Sequence, residues 1–164
     1  MTVRRATAAD VDGVRAVAGD SWEADYPEIL SRESVENGFE EWYDPGRLAA
    51  ALPADDELLF VAERDDAVVG FVHGIVDGTG GAGHVLRLYV HPDARGRGVG
   101  GRLLERVRGE LFDRGVERVH AMVLSDNEPG NEFYRSFGFE RVDESETTIG
   151  RESYPETRYV LERS

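Results

Sequence analysis

Lysine and cysteine are both absent from this 164-residue chain. All 19 basic residues are arginine, set against 33 Asp and Glu, for a net charge of −14. Without lysine there is no Schiff-base chemistry, no lysine base and no Gly-Lys-Ser/Thr phosphate loop. Without cysteine there is no disulfide, no thiolate nucleophile and no thiolate metal site. No run approaches the ~18 apolar residues of a membrane-spanning helix. The opening MTVRRATAAD lacks the apolar core of a secretory signal. These absences lead us to expect a soluble cytoplasmic protein with no membrane partner. The negative charge repels phosphate backbones, so no nucleic-acid partner is expected either. His73, His91 and His120 show no metal-ligand spacing, and we expect no metal.

The acidity has two readings. An acidic surface concentrates cationic substrates. A surface rich in Asp and Glu and free of lysine also resembles proteins of salt-loving organisms with a salt-filled cytoplasm. We favour the second reading. It implies that stability rises with salt as self-repulsion is screened.

Apolar spacing and turn residues divide the chain into elements. Residues 2–6 read as a strand. Thr7 or Asp10 caps a helix with Val11, Val14, Val17 and Ala18 on one face. Residues 31–51 are a second helical region, with Ser31 as a candidate cap and a break near Asp44-Pro45-Gly46. Leu58–Glu63 and Ala67–Val76 form a hairpin about Asp65-Asp66. The Gly-rich run from Asp77 to Gly83 reads as a turn, and His84–Val90 as a strand. Val99–Arg114 is a helix stopped by Gly115. Val116–Leu124 is a strand, Pro129–Phe137 a helix ended by Gly138, and Phe139–Thr148 and Glu156–Glu162 are closing strands. This is one mixed α/β (α+β) domain spanning residues 1–164.

Leu88-Tyr-Val-His-Pro-Asp-Ala-Arg95-Gly96-Arg97-Gly98-Val99-Gly100-Gly101 is the most informative stretch. A strand runs into a Gly-rich turn that opens a helix. The N–H groups at a helix start are free, and its dipole is positive there, so the turn suits a phosphate. Six arginines and two acids lie between Arg87 and Arg108, a local charge of +4. An anionic ligand is the simplest reason. The plainer one is that some of these arginines pair with acids on an exposed helix.

The turn also fits the dinucleotide pattern G-x-G-x-x-G, but its setting does not. Five residues, His91 to Arg95, separate the strand from the first glycine. Only 63 residues follow Gly101, too few to complete a dinucleotide-binding domain.

A different pattern fits better. Arg95-x-x-Gly98-x-Gly100 resembles the Q/R-x-x-G-x-G/A signature of the GNAT superfamily of N-acetyltransferases. Asn127-Glu-Pro-Gly-Asn-Glu-Phe-Tyr134-Arg-Ser-Phe-Gly138-Phe139 is similar to that family's N-x-x-A-x-x-x-Y-x-x-x-G-F segment, with Gly130 where alanine is usual. The opening Val3-Arg-Arg-Ala-Thr-x-x-Asp10 resembles its first strand and helix start. The resemblance implies a central, mostly antiparallel mixed sheet of six to seven strands with about four helices. It implies acetyl transfer from acetyl-CoA, as co-substrate, to an amine.

The same resemblance implies the site residues. Backbone N–H groups of Gly96, Arg97, Gly98, Val99, Gly100 and Gly101 would bind the pyrophosphate, with Arg95 and Arg97 adding charge or ordering the loop. The strand ending at Val90 would splay from its neighbour near Val123, leaving backbone groups of Leu88 and Val90 for the pantetheine arm. An N–H near Tyr89 would polarise the thioester carbonyl. Tyr134 would protonate the departing thiolate, its plainer reading being a core aromatic beside Phe133 and Phe137. Asn127 would lie near the cofactor arm, or simply cap a helix before Pro129. Some members place a glutamate base four residues before the position of Leu88. Here that residue is His84, and Glu23, Asp77 or a water are alternatives.

The acceptor pocket of such proteins is built by the first two helices and the late strands. Here these carry Trp22, Tyr26, Phe39, Trp42, Tyr43 and Tyr154. Residues 20–66 hold 15 acids and three arginines. Aromatics among carboxylates suit a cationic amine, and core packing explains the same residues. The reading is an N-acetyltransferase acting by direct transfer on a primary amine of a small molecule or protein N-terminus. Its rivals are a noncatalytic acyl-CoA-binding module and a nucleotide-binding domain. The resemblance also allows a homodimer.

Overall fold

Seven strands and four α-helices are built among the described residues, which are 1–26, 29–42, 46, 57–77, 81–149 and 151–163 of this computed structural model, with 40–42 described as backbone only. In chain order they are β1 (Thr2–Arg5), α1 (Val11–Asp25), α2 (Arg32–Trp42), β2 (Glu57–Arg64), β3 (Ala67–Val76), β4 (Ala82–Val90), α3 (Val99–Asp113), β5 (Arg118–Leu124), α4 (Glu128–Ser136), β6 (Glu140–Ile149) and β7 (Glu152–Glu162). The sheet order is β1-β2-β3-β4-β5-β7-β6. Only the β4–β5 pairing is parallel. The expected mixed, mostly antiparallel sheet is therefore present. No described helix is long and apolar enough to cross a membrane.

Each face of the sheet buries an apolar layer. On one, Leu103, Leu104, Val107 and Leu111 of α3 pack over Phe60, Val72, Val85 and Ala121. On the other, Val14, Val17 and Trp22 of α1 cover Leu59, Val61, Phe71, Leu124 and Ile149. These contacts follow from helical spacing on α1 and α3 and from alternation along the strands. Truncating a fully buried leucine such as Leu111 to alanine is expected to cost about 2–5 kcal/mol.

The hairpin turn matches the sequence reading, while several strand boundaries differ from it. The β2–β3 hairpin turns on Asp65 and Asp66, both at positive φ (52° and 64°), as expected for a tight two-residue turn. β7 begins at Glu152, four residues before the expected Glu156. Pro155 stops a strand reading because it cannot donate to a ladder. Here it lies where β7 runs past the end of β5, paired only with Glu146 of β6, and its carbonyl accepts from the Ser125 N–H at 2.9 Å. β5 begins at Arg118 rather than Val116, which is buried just ahead of the strand. Of the expected break in the second helical region, Asp44 and Pro45 lie outside the described residues, as do residues 78–80 of the Gly-rich turn.

Candidate active site

The parallel pairing of β4 with β5 runs from Ala82–Arg118 to Val85–Ala121 and then stops. On its other side β4 stays paired with β3 as far as Val90. Leu86–Val90 and Met122–Leu124 therefore part, with no β4–β5 pairing between them among the described residues. The gap opens into a cleft of about 830 Å³ lined by both segments, by the start of α3, by α4, by the end of α1 and by Ile149 and Glu156 of the β6–β7 hairpin.

One end of the cleft is the Gly-rich turn. Gly98 is the N-cap of α3 at φ 79°, with no side-chain cap, and Gly96 has φ 78°. A Cβ on either would meet nothing within 4 Å. The loop is thus an open concavity of backbone edged by the free N–H groups of the first helical turn, the geometry that binds a phosphate. Gly100 and Gly101 do something else. A Cβ there would come within 3.3 Å of the Phe133 ring and 2.8 Å of the Phe137 ring. Their smallness lets α3 approach α4, which brings Tyr134 to the cleft.

The arginines of this stretch divide between ordering the loop and pairing along the helix. Arg95 donates two hydrogen bonds of 2.7 Å to the Asp25 carboxylate and a third, from Nε, to the Val90 carbonyl at 3.1 Å. Its charge is met by α1 rather than aimed at the open loop. Arg97 does not line the cleft. Arg106 and Arg108 pair with Glu110 and Glu105 along α3, and Arg102 donates to the Met1 carbonyl. The plainer reading of the basic stretch holds for these side chains. What the turn itself offers an anion is backbone N–H groups and the helix dipole.

Tyr134 is 7% exposed, and its phenol makes no hydrogen bond with the described residues. Its ring packs against Phe133, Phe139 and Tyr159. Burial pushes the phenol well above its ordinary value, with a smaller contribution from Tyr89, so it stays protonated. The arrangement fixes the ring while leaving its hydroxyl for a ligand.

Asn127 is a helix cap, as its plainer reading has it. Its Oδ1 accepts from the Gly130 N–H at 3.2 Å, capping α4, and the residue also lines the cleft. A Cβ on Gly130 would fall 2.6 Å from the Asn127 side-chain nitrogen, which accounts for glycine where the family usually has alanine. Asn131 was not foreseen. Its Nδ2 donates to the carbonyls of Leu124 (3.1 Å) and Asn127 (2.7 Å), while its Oδ1 accepts from the Tyr159 hydroxyl at 2.6 Å. It locks the β5–α4 turn.

His84 stands apart from the other expected site residues. It lies where β4 and β5 are still paired, stacked on His120 at 5.0 Å between ring centroids, and does not line the cleft. Glu23 and Asp77 do not line it either. The expected acceptor aromatics also separate. Tyr26 reaches the cleft and shares a 2.7 Å hydrogen bond with the Tyr89 hydroxyl. Trp22 is core, with Phe39 edge-on against it. The Tyr154 hydroxyl is held by Glu152 and Ser34. Tyr43 and the Trp42 side chain lie outside the described residues.

The comparisons agree with this geometry. The profile of the acetyltransferase (GNAT) family matches residues 17–139, most of the chain. The chain belongs to this family. It is 38% identical over 103 residues to an acetyltransferase of Pectobacterium atrosepticum, covering 62% of this chain and 72% of that one. It is 33% identical over 120 residues to an acetyltransferase of Sodalis glossinidius, covering 73% and 83%. Among solved structures it resembles the PaiA N-acetyltransferase of Thermoplasma acidophilum, crystallised with coenzyme A (TM-score 0.82, 25% identity, 96% and 98% coverage). It also resembles a GCN5-related N-acetyltransferase of Rhodopseudomonas palustris (TM-score 0.83, 25% identity, 99% and 95% coverage). Like its relatives, this GNAT protein is an acetyltransferase.

The sequence reading missed the cleft residues supplied by the register of late strands. Glu156 is the main one. It sits opposite Leu124 on β5 and Ser145 on β6. Burial alone raises its carboxyl above the ordinary range. Only the pairing of β7 with β5 places it at the cleft, and no local motif marks it.

Proposed function

We propose that the protein moves the acetyl group of acetyl-CoA directly to a primary amine, on a small molecule or a protein N-terminus. The observation that carries this is the opened β4–β5 gap, with a free phosphate-type cradle at one end and a phenol without a partner inside. The similar PaiA enzyme was crystallised with coenzyme A, which supports the same ligand here.

When bound, acetyl-CoA supplies a thioester whose carbonyl carbon accepts a nucleophile and whose sulfur leaves. The chain's residues have four tasks. The N–H groups from Gly96 to Gly101 hold the pyrophosphate. Leu88 and Val90 offer strand-type backbone bonds to the amide-bearing arm, with Asn127 beside it. An N–H of β4 near Tyr89 donates to the carbonyl oxygen where negative charge develops. Tyr134 holds its proton for the sulfur. Direct transfer needs no enzyme nucleophile, consistent with a chain that lacks cysteine.

Two readouts test this proposal. Coenzyme A should raise the melting temperature while NAD leaves it unchanged. With acetyl-CoA and a panel of amines, free thiol should appear together with N-acetylated product. Stabilisation by coenzyme A without thiol release from any amine would make the protein a binding module instead.

A further inference from the structure

Acetyl transfer to an ammonium requires a group that takes a proton, and His84 does not reach the cleft. We propose that the carboxylate of Glu156 binds the acceptor's ammonium and takes its first proton. This inference rests on the acetyl-transfer reading above.

The first observation is position. Glu156 lines the cleft together with Tyr134 and Tyr89. It projects from β7 at the level of Leu124, the last β5 residue paired with β7 and one of those that have parted from β4. The second is the lack of a partner. Among the described residues no hydrogen bond or ion pair reaches its carboxylate. The neighbouring charges are engaged differently. Arg158, two residues along the strand, is bound to Asp143 of β6. Asp25 of α1 is bound to Arg95. Arg87 of β4, and Asp126 and Glu128 at the β5–α4 turn, also line the cleft. The facing residues on the adjacent strands, Leu124 and Ser145, carry no charge.

A half-buried carboxylate with no partner is costly. An incoming ammonium removes that cost, so the site favours cationic amines over neutral or anionic acceptors. Desolvation raises the carboxyl above its ordinary value, which strengthens it as a base. The cleft lining also carries the apolar side chains Ile29, Leu86, Met122 and Ile149. The acceptor fitting this lining is a primary ammonium on an apolar or extended carbon chain.

The protons balance. The ammonium gives one proton to Glu156, which later returns it to solvent. The freed lone pair forms the C–N bond to the acetyl carbon as the C–S bond breaks. The sulfur takes the Tyr134 proton, and the phenol oxygen regains one from the nitrogen. This relay avoids a free phenolate, the form that burial of Tyr134 disfavours.

The test compares wild type, Glu156→Gln and Glu156→Asp, using acetyl-CoA with 1,4-diaminobutane and a peptide with a free N-terminus, from pH 5.5 to 9. The wild-type kcat/KM should fall at acid pH, with a limb above the ordinary carboxylate range. Glu156→Gln should lose that limb and at least tenfold in kcat/KM, with coenzyme A affinity unchanged and the melting temperature equal to or above that of wild type. Glu156→Asp should recover part of the rate. Wild-type turnover matched by Glu156→Gln within twofold across this range overturns the role of Glu156 alone. Wild type that releases no thiol with either amine overturns the transfer reading, and this proposal with it.

Discussion

Arg95 and Asp25 are joined by two parallel contacts of 2.7 Å, tying the Gly-rich turn to the C-terminal end of α1. Arg95 also holds the Val90 carbonyl, and Ser21 of α1 donates to that carbonyl at 3.3 Å. His91 reaches Asp20 at 2.9 Å. The Gly-rich turn at one end of the cleft and the part bordered by α1 are thereby mechanically linked.

This linkage predicts a double-mutant result. Arg95→Ala and Asp25→Ala should each raise the KM for acetyl-CoA by a similar factor, about two- to fivefold, and the double variant should be little worse than either. The stability loss should stay within about 1 kcal/mol, because the pair is partly exposed. If Arg95 touched the phosphates directly, its removal would weaken binding far more than removal of Asp25.

Gly98 is predicted to tolerate no side chain. At φ 79° an alanine is strained by about 1 kcal/mol, and its methyl stands in open space at the turn that lines the cleft. Gly98→Ala should lower coenzyme A affinity more than tenfold, as read by calorimetric titration, while the protein stays folded. The same change at Gly109, where a Cβ also meets nothing, should leave affinity unchanged.

Tyr134→Phe keeps the ring contacts and removes a hydroxyl with no hydrogen-bond partner among the described residues. We expect kcat to fall at least tenfold, with the KM for acetyl-CoA within threefold and the melting temperature nearly constant. A fall in turnover of less than threefold would contradict the proton-donor role.

His73 gives stability a pH dependence. It is 4% exposed and hydrogen-bonded to Glu57 at 3.1 Å, and burial, helped by Arg87, lowers its pKa below 6.5. Between the lowered folded value and the ordinary unfolded one, the unfolded chain binds more protons. The stabilising contribution is therefore complete above pH 6.5 and lost as pH falls through the folded value. Denaturation midpoints measured from pH 8 to 5 should decline on the acid side, and less steeply in His73→Gln.

The acidic composition carries a separate expectation. Unfolding midpoints should rise from low salt to molar KCl as repulsion among the 33 acids is screened. Flat midpoints would favour substrate attraction as the reason for the charge.

The site was unevenly legible in the sequence. The turn from Arg95 to Gly101 and the segment from Asn127 to Tyr134 are local motifs, and their backbone needs are written in adjacent residues. The departure of β4 from β5 was implied by the family resemblance and appears as the end of pairing at Val85–Ala121. Net charge between Arg87 and Arg108 does not show which partner each arginine meets. Sequence adds charges without showing that Arg95 faces Asp25 or that Arg106 and Arg108 pair along their own helix. His84 was placed by counting back from Leu88, which cannot show that β4 is still paired there. Glu156 was invisible because only a long-range strand register brings it to Leu124.

The central claim is acetyl transfer from coenzyme A to an amine in this cleft. Its most direct test is a stoichiometric one: mass analysis of protein, amine and coenzyme A after incubation with acetyl-CoA. We predict one N-acetylated amine for each free coenzyme A thiol, with the protein's own mass unchanged throughout. Coenzyme A release without acetylated amine, or an acetylated protein as the product, would contradict it.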